Sequence, residues 1–233
     1  NIGGVLAGFG MDFDDADNPR RAQKEALTVI RYLIDKFDIK ERDISICFSG
    51  NKGFHVFINH AVLGVEPHYF LPQIYKEMAK ELIQQHQLKT LDLKIYDRRR
   101  LIRLPNSRHQ KSGLYKIPLT LTELSTLSID KIRAMATKPR IPPARIEHEV
   151  SLKAHHWFIQ HRENFIQRLE EKRIEYFANI LSLKDHMVRD INVDFSGGEM
   201  KRSELFQVIL QDPQLLLLDE PESGVAIENI SIM

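Results

Sequence analysis

The chain has 233 residues, 42% of them hydrophobic, and a formal net charge of +1. That suffices for one large core or two small ones, and it excludes an overall field that draws in nucleic acid, so such binding must rest on local clusters. The single cysteine, Cys47, excludes an internal disulfide framework and fits a reducing compartment. No apolar run approaches about 18 residues, so no membrane-spanning helix is expected. The chain opens at Asn1 without a basic-then-apolar leader, which points to a fragment or processed chain and to a cytoplasmic location.

Residues 2–10 are apolar and glycine-rich and read as a buried strand. Met11-Asp12-Phe13-Asp14-Asp15 follows. If the strand continues, Asp12 and Asp14 share one face and Phe13 turns into the core. Two bare carboxylates about 5 Å apart repel by roughly 3 kcal/mol at an effective dielectric of about 20. A site that keeps them together shares a proton or binds a cation. The competing reading is a solvated turn, for which 14–19 has the composition.

Residues 19–38 have helical spacing, with Ala22, Ala26, Val29, Ile30, Leu33, Ile34 and Phe37 on one stripe. Residues 44–48 and 54–58 read as strands joined by the loop Ser49-Gly50-Asn51-Lys52-Gly53. Its glycines let backbone amides approach an anion, and Ser49 and Lys52 suit a phosphate. Phe54 and His55 point to opposite faces, so His55 can share a cleft with Ser49. An ordinary glycine turn with an incidental histidine fits these residues as well. Cys47 lies in an apolar run and reads as a buried structural thiol.

Residues 67–87 read as a second amphipathic helix, and 91–104 as strand-like pieces around a basic centre. Arg98, Arg99, Arg100, Arg103, Arg108 and Lys111 concentrate charge there. Pro105-Asn106-Ser107 breaks the strand, leaving Arg108, His109 and Lys111 on a loop suited to phosphate. Residues 119–136 read as one or two short helices, 139–143 as a rigid proline linker, and 149–183 as mostly helical.

Taken in order, Asp-x-Asp, Ser-Gly-x-Lys-Gly-Phe-His, a further Asp, and Arg-Leu-Ile-Arg-Leu-Pro-Asn-Ser-x-His-x-Lys-Ser-Gly resemble the catalytic core of the archaeo-eukaryotic primase and primase-polymerase superfamily, over 2–121. The resemblance implies an α/β (α+β) fold: a primase-like core with an RRM-like sheet flanked by helices. It implies a metal-dependent nucleotidyltransferase of DNA replication, joining NTPs or dNTPs on a template. Asp12, Asp14 and Asp92, with Asp97 as the alternative to Asp92, would hold two Mg²⁺ or Mn²⁺ ions and act catalytically. Ser49, Lys52, His55, Arg103, His109 and Lys111 would bind the nucleotide. Single-stranded DNA or a primer-template would be the partner, with a large primase subunit or a helicase. A non-catalytic nucleic-acid-binding module on the same fold is the alternative.

The tail differs. Phe195-Ser196-Gly197-Gly198-Glu199 opens a helical run, and Leu215-Leu216-Leu217-Leu218-Asp219-Glu220 reads as a buried strand ending in two acids. The pair resembles the signature motif and Walker B strand of an ABC ATPase of the iron–sulphur-cluster-assembly type, over 176–232. By that likeness Ser196 and Gly198 touch the γ-phosphate of ATP bound by a partner, Asp219 supports Mg²⁺, and Glu220 polarises water. The chain contains no Gly-x-x-x-x-Gly-Lys-Ser/Thr, and Ala226 replaces a family aspartate. No ATP hydrolysis by the tail alone is therefore expected. A regulatory or assembly module working with a P-loop ATPase partner is the corresponding function. The expected division is 1–138, 139–172 and 173–233. Three origins fit two partial domains on one chain: a natural fusion, a chimera and a misjoined sequence.

Overall fold

Burial alternates along the first strand: Phe9, Met11 and Phe13 are almost fully buried, while Asp12 and Asp14 are half-buried. That period of two is what one covered and one open sheet face require. The computed structural model describes residues 5–97, 102–141, 147–187 and 195–212. They divide into two compact units, Asn1–Glu163 and Asn164–Met233.

The first unit is of the α+β class. Its sheet comprises β1 (Phe9–Asp14), β2 (Ile44–Phe48), β3 (Gly53–Ile58) and β4 (Ile117–Leu119). The strands lie in the order β1-β3-β2-β4, all antiparallel. Register sets Asp12 opposite His55 and Asp14 opposite Gly53. The expected strand at 2–10 is displaced: it begins at Phe9 and carries the aspartates within it. Residues 1–4 lie outside the described residues.

The covered face packs on α1 (Pro19–Phe37) and α2 (Leu71–His86). Asn18 caps α1 by accepting from the Arg21 amide, with Pro19 at its start, so one orphan amide gains an acceptor and the first helical residue has no N–H to satisfy. Its expected stripe is buried, from Ala22 to Phe37, with Ile34 only partly covered. Each large side chain so covered contributes roughly 1.5–3 kcal/mol. The second helix starts at Leu71 rather than 67. His68 exchanges backbone hydrogen bonds with Val5, at 3.1 and 3.3 Å, and so stays extended.

Among the described residues of 91–104 the expected strand pieces do not appear, and Leu93–Tyr96 form a 3-10 turn. Asp92 nucleates that turn by accepting from the Lys94 amide at 2.8 Å. Residues 98–101, and with them Arg98, Arg99 and Arg100, lie outside the described residues. Two short helices, α3 (Leu121–Thr126) and α4 (Ile129–Met135), follow as expected. Of the proline linker, 139–141 are described and 142–143 lie outside the described residues.

The long helix α5 (Leu152–Ile180) runs through the division between the units. In the second unit, α6 (Gly197–Leu210) contributes Leu205 and Phe206 to a small core with Ala178, Leu181 and Leu183. The expected Walker B strand, with Asp219 and Glu220, lies outside the described residues. No described helix is long and apolar enough to cross a membrane.

Candidate functional site

The open face of the sheet ends in a cavity of about 180 Å³. Asp12, Asp14, Ser49, Asn51, Lys52, His55, Arg103 and His109 line it, with Met11, Phe57, Ile95 and Ile102 as apolar neighbours. Two acids are thus set against the cationic Lys52 and Arg103 and two histidines, a distribution suited to a cation bound with an anion.

The β2–β3 hairpin builds one wall. Gly50 takes a φ of +81°, which favours glycine, and a Cβ at Gly53 would lie 2.0 Å from Asp14 Oδ1 and 2.2 Å from the Phe13 carbonyl oxygen. The missing side chain brings the loop against β1. Ser49 Oγ accepts from the Gly53 amide at 3.1 Å and the Asn51 amide at 3.4 Å, so this hydroxyl shapes the loop. Lys52 Nζ stands 3.3 Å from Asp14 Oδ2.

The second wall is the loop that carries Arg103. Its guanidinium donates to the Ser49 carbonyl at 2.5 Å. His109 is held by its amide, which donates to the Leu114 carbonyl at 2.8 Å. Burial and the neighbouring Arg103 and Lys111 lower the His109 pKa, although Asp14 opposes them.

His55 joins the walls. Its Nε2 lies 3.4 Å from Asp12 Oδ1, and its Nδ1 lies 2.9 Å from Lys116 Nζ. Burial, then Lys116 and Arg103, push the His55 pKa down to about 3, so the ring is neutral at pH 7. Lys116 is only 2% exposed, and its pKa is lowered, chiefly by burial. Nothing in the residue pattern marks Lys116 as part of a site, because lysines are rarely buried.

Two expected members stand apart. Asp92 lies across from Asp12, donating its amide to the Asp12 carbonyl at 2.8 Å, while its carboxylate caps the 3-10 turn. It does not line the cavity. Lys111 is exposed and off the lining, although its charge acts on His109. Asp97, the alternative third acid, is exposed beside a neighbouring apolar hollow. Among the described residues, no group of three or more His, Cys, Asp or Glu is placed to hold a metal ion.

In the second unit, Ser196 and Gly198 sit at the start of α6. Ser196 Oγ accepts from the Glu199 amide at 3.3 Å, and Glu199 accepts from the Ser196 amide at 2.7 Å. This reciprocal box fixes the helix entry. The Ser196 amide and hydroxyl hold the Glu199 carboxyl below its usual range. His186 Nε2 lies 3.2 Å from the same carboxylate.

A family model described as ABC transporter matches residues 110–223, slightly less than half of the chain. Among curated proteins, the probable ATP-dependent transporter SufC of Escherichia coli K12 is 36% identical over 72 residues, 31% of this chain and 27% of that protein. A probable ABC transporter ATP-binding protein of Streptococcus pyogenes serotype M1 is 38% identical over 71 residues, 30% and 26% of the two chains. The probable ATP-dependent transporter ycf16 of Cyanidium caldarium is 55% identical over 59 residues, 24% and 23% of the two. The chain therefore spans about a quarter of the length of these relatives. No solved structure matches it.

These matches overturn the primase expectation. The family found is ABC transporter, and it takes in the end of the basic stretch on which the primase resemblance chiefly rested. The relatives are named as probable ATP-dependent transporters and a probable ABC transporter ATP-binding protein. The nucleotidyltransferase activity, the role in replication, and the single-stranded DNA, primer-template, large primase subunit and helicase partners fall with it. Phosphate chemistry explains the error: Gly-rich loops, basic loops and paired acids suit any metal–phosphate site, so their order outweighed their specificity.

Proposed function

We propose that the chain serves an ABC-type, ATP-dependent transport machine, with α6 presenting the signature turn to nucleotide. The observation that carries this reading is the ABC transporter match over 110–223. The reciprocal Ser196–Glu199 box at the head of α6 supports it, because a fixed helix N-terminus aims amides and a partial positive charge at phosphate. Ser196 and Gly198 then contact the terminal phosphate of ATP. Asp219 supports Mg²⁺ and Glu220 orients water. With no Walker A sequence in the chain, the phosphate loop comes from an ABC-type partner. The proposed division of labour follows 1–138, 139–172 and 173–233.

The cavity of the first unit is proposed as a second site, for a divalent cation held with a phosphate-bearing ligand. Asp12 and Asp14 supply hard oxygen ligands for Mg²⁺ or Mn²⁺, one ion or two, with Asp92 behind them. Lys52, His55, Arg103 and His109, with Lys111 at the rim, meet phosphate oxygens, and Ser49 shapes the loop. The RRM-like description of the sheet belongs to this proposal, its open face being the ligand platform.

The test of the first reading mixes the chain with a Walker A-bearing ABC ATPase and follows phosphate release. The expected result is a rate above that of the partner alone, lost with Ser196→Arg. A rate equal to the partner's alone at saturating chain contradicts it. For the cavity, Mn²⁺ binding followed by electron paramagnetic resonance should weaken at least tenfold in Asp12→Asn, about the scale of a lost ligand shell.

A further inference from the structure

Lys116 stands where the sheet meets the basic loop. It is 2% exposed, yet it is absent from the cavity lining. Its ammonium donates to the Arg103 carbonyl at 2.7 Å and points at His55 Nδ1 at 2.9 Å. It also lies 5.3 Å from the centre of the Phe57 ring, within cation–π range. An ammonium has three hydrogens and no lone pair. Against it, Nδ1 of His55 can only accept, so the ring proton belongs on Nε2.

We infer that Lys116 is a positioning residue that fixes His55 as the Nε2–H tautomer, so that His55 faces the cavity as a hydrogen-bond donor. The partner on one ring nitrogen decides what the other offers. His55 Nε2 lies 3.4 Å from Asp12 Oδ1 with no hydrogen bond between them, and its N–H can be given to a phosphate oxygen. It cannot ligate a cation. The cavity is thereby divided: Asp12 and Asp14 form the cation side, and His55, Arg103 and Lys52 the anion side. Lys116 anchors two members of the anion side, the His55 ring and the backbone that carries Arg103.

This inference rests on the phosphate reading of the cavity for its purpose, but not for its geometry. The test is nitrogen-15 NMR of histidine-labelled full-length chain at pH 7, with His55 assigned by its loss in His55→Gln. The expected spectrum shows a single neutral form protonated at Nε2. A ring protonated at Nδ1, or an imidazolium, overturns the inference and does so without any variant. In Lys116→Met, the other histidines should be unmoved while His55 becomes a mixture of tautomers. An unchanged His55 pattern in a folded Lys116→Met overturns the role of Lys116. Inorganic triphosphate, titrated with Mn²⁺ present, should bind about tenfold more weakly to that variant. A wild-type chain that shows the Nε2–H form, changed in Lys116→Met, yet binds no triphosphate upholds Lys116 and removes the phosphate reading instead.

Discussion

Asp14 illustrates how single residues set the chemistry of the cavity. Its carboxylate lies 3.3 Å from Lys52 and shares a strand face with Asp12. Asp14→Asn should release Lys52 and weaken Mn²⁺ about as much as Asp12→Asn does; a variant with wild-type Mn²⁺ affinity would remove Asp14 from the cation side. His55 carries a pH signature. Its pKa is about 3 in the folded chain against an ordinary 6.5. Between those values the unfolded chain holds the extra proton, so stability falls as pH drops through that window and is fully present above it. Urea denaturation at pH 7, 5 and 4 should show a smaller loss in His55→Gln than in the wild type. Equal losses would mean that His55 is not held neutral.

At the scale of elements, the sheet was legible and its surroundings less so. Alternation around Phe13, and the opposed faces of Phe54 and His55, follow from a period of two, which composition exposes directly. The β2–β3 loop was legible from its glycines. The placement of Asp92 was not legible, because spacing does not reveal that its carboxylate accepts from the Lys94 amide. Lys116 was missed because only long-range packing buries it, and β4 was missed because Pro118 argues locally against a strand; the site is tolerated in a short strand of three residues. Two element-level substitutions follow. Gly53→Ala drives a Cβ into Asp14 and the Phe13 carbonyl, and should cost about 1–3 kcal/mol in chemical denaturation; a neutral change would mean that the hairpin is not held against β1. Ser196→Ala removes the α6 cap and should cost about 1 kcal/mol in the same denaturation; an unchanged midpoint would mean that the cap does not hold the helix entry.

For the whole molecule, two units carry two candidate sites. The first has a built cavity on a sheet face, and the second has a capped helix entry. The ABC resemblance of the tail was visible in Ser196-Gly197-Gly198 and the acids at 219 and 220, because that wording is local and contiguous. The function of the whole was misread from the larger first unit, where the same residue types serve many phosphate proteins. The central claim is that the tail engages ATP with an ABC-type partner. Sedimentation velocity of the chain with a Walker A-bearing ABC ATPase, in ATP·Mg²⁺ and in ADP, tests it most directly. The account predicts a complex in ATP that is absent in ADP and lost with Ser196→Arg; two species sedimenting independently in both nucleotides would contradict it.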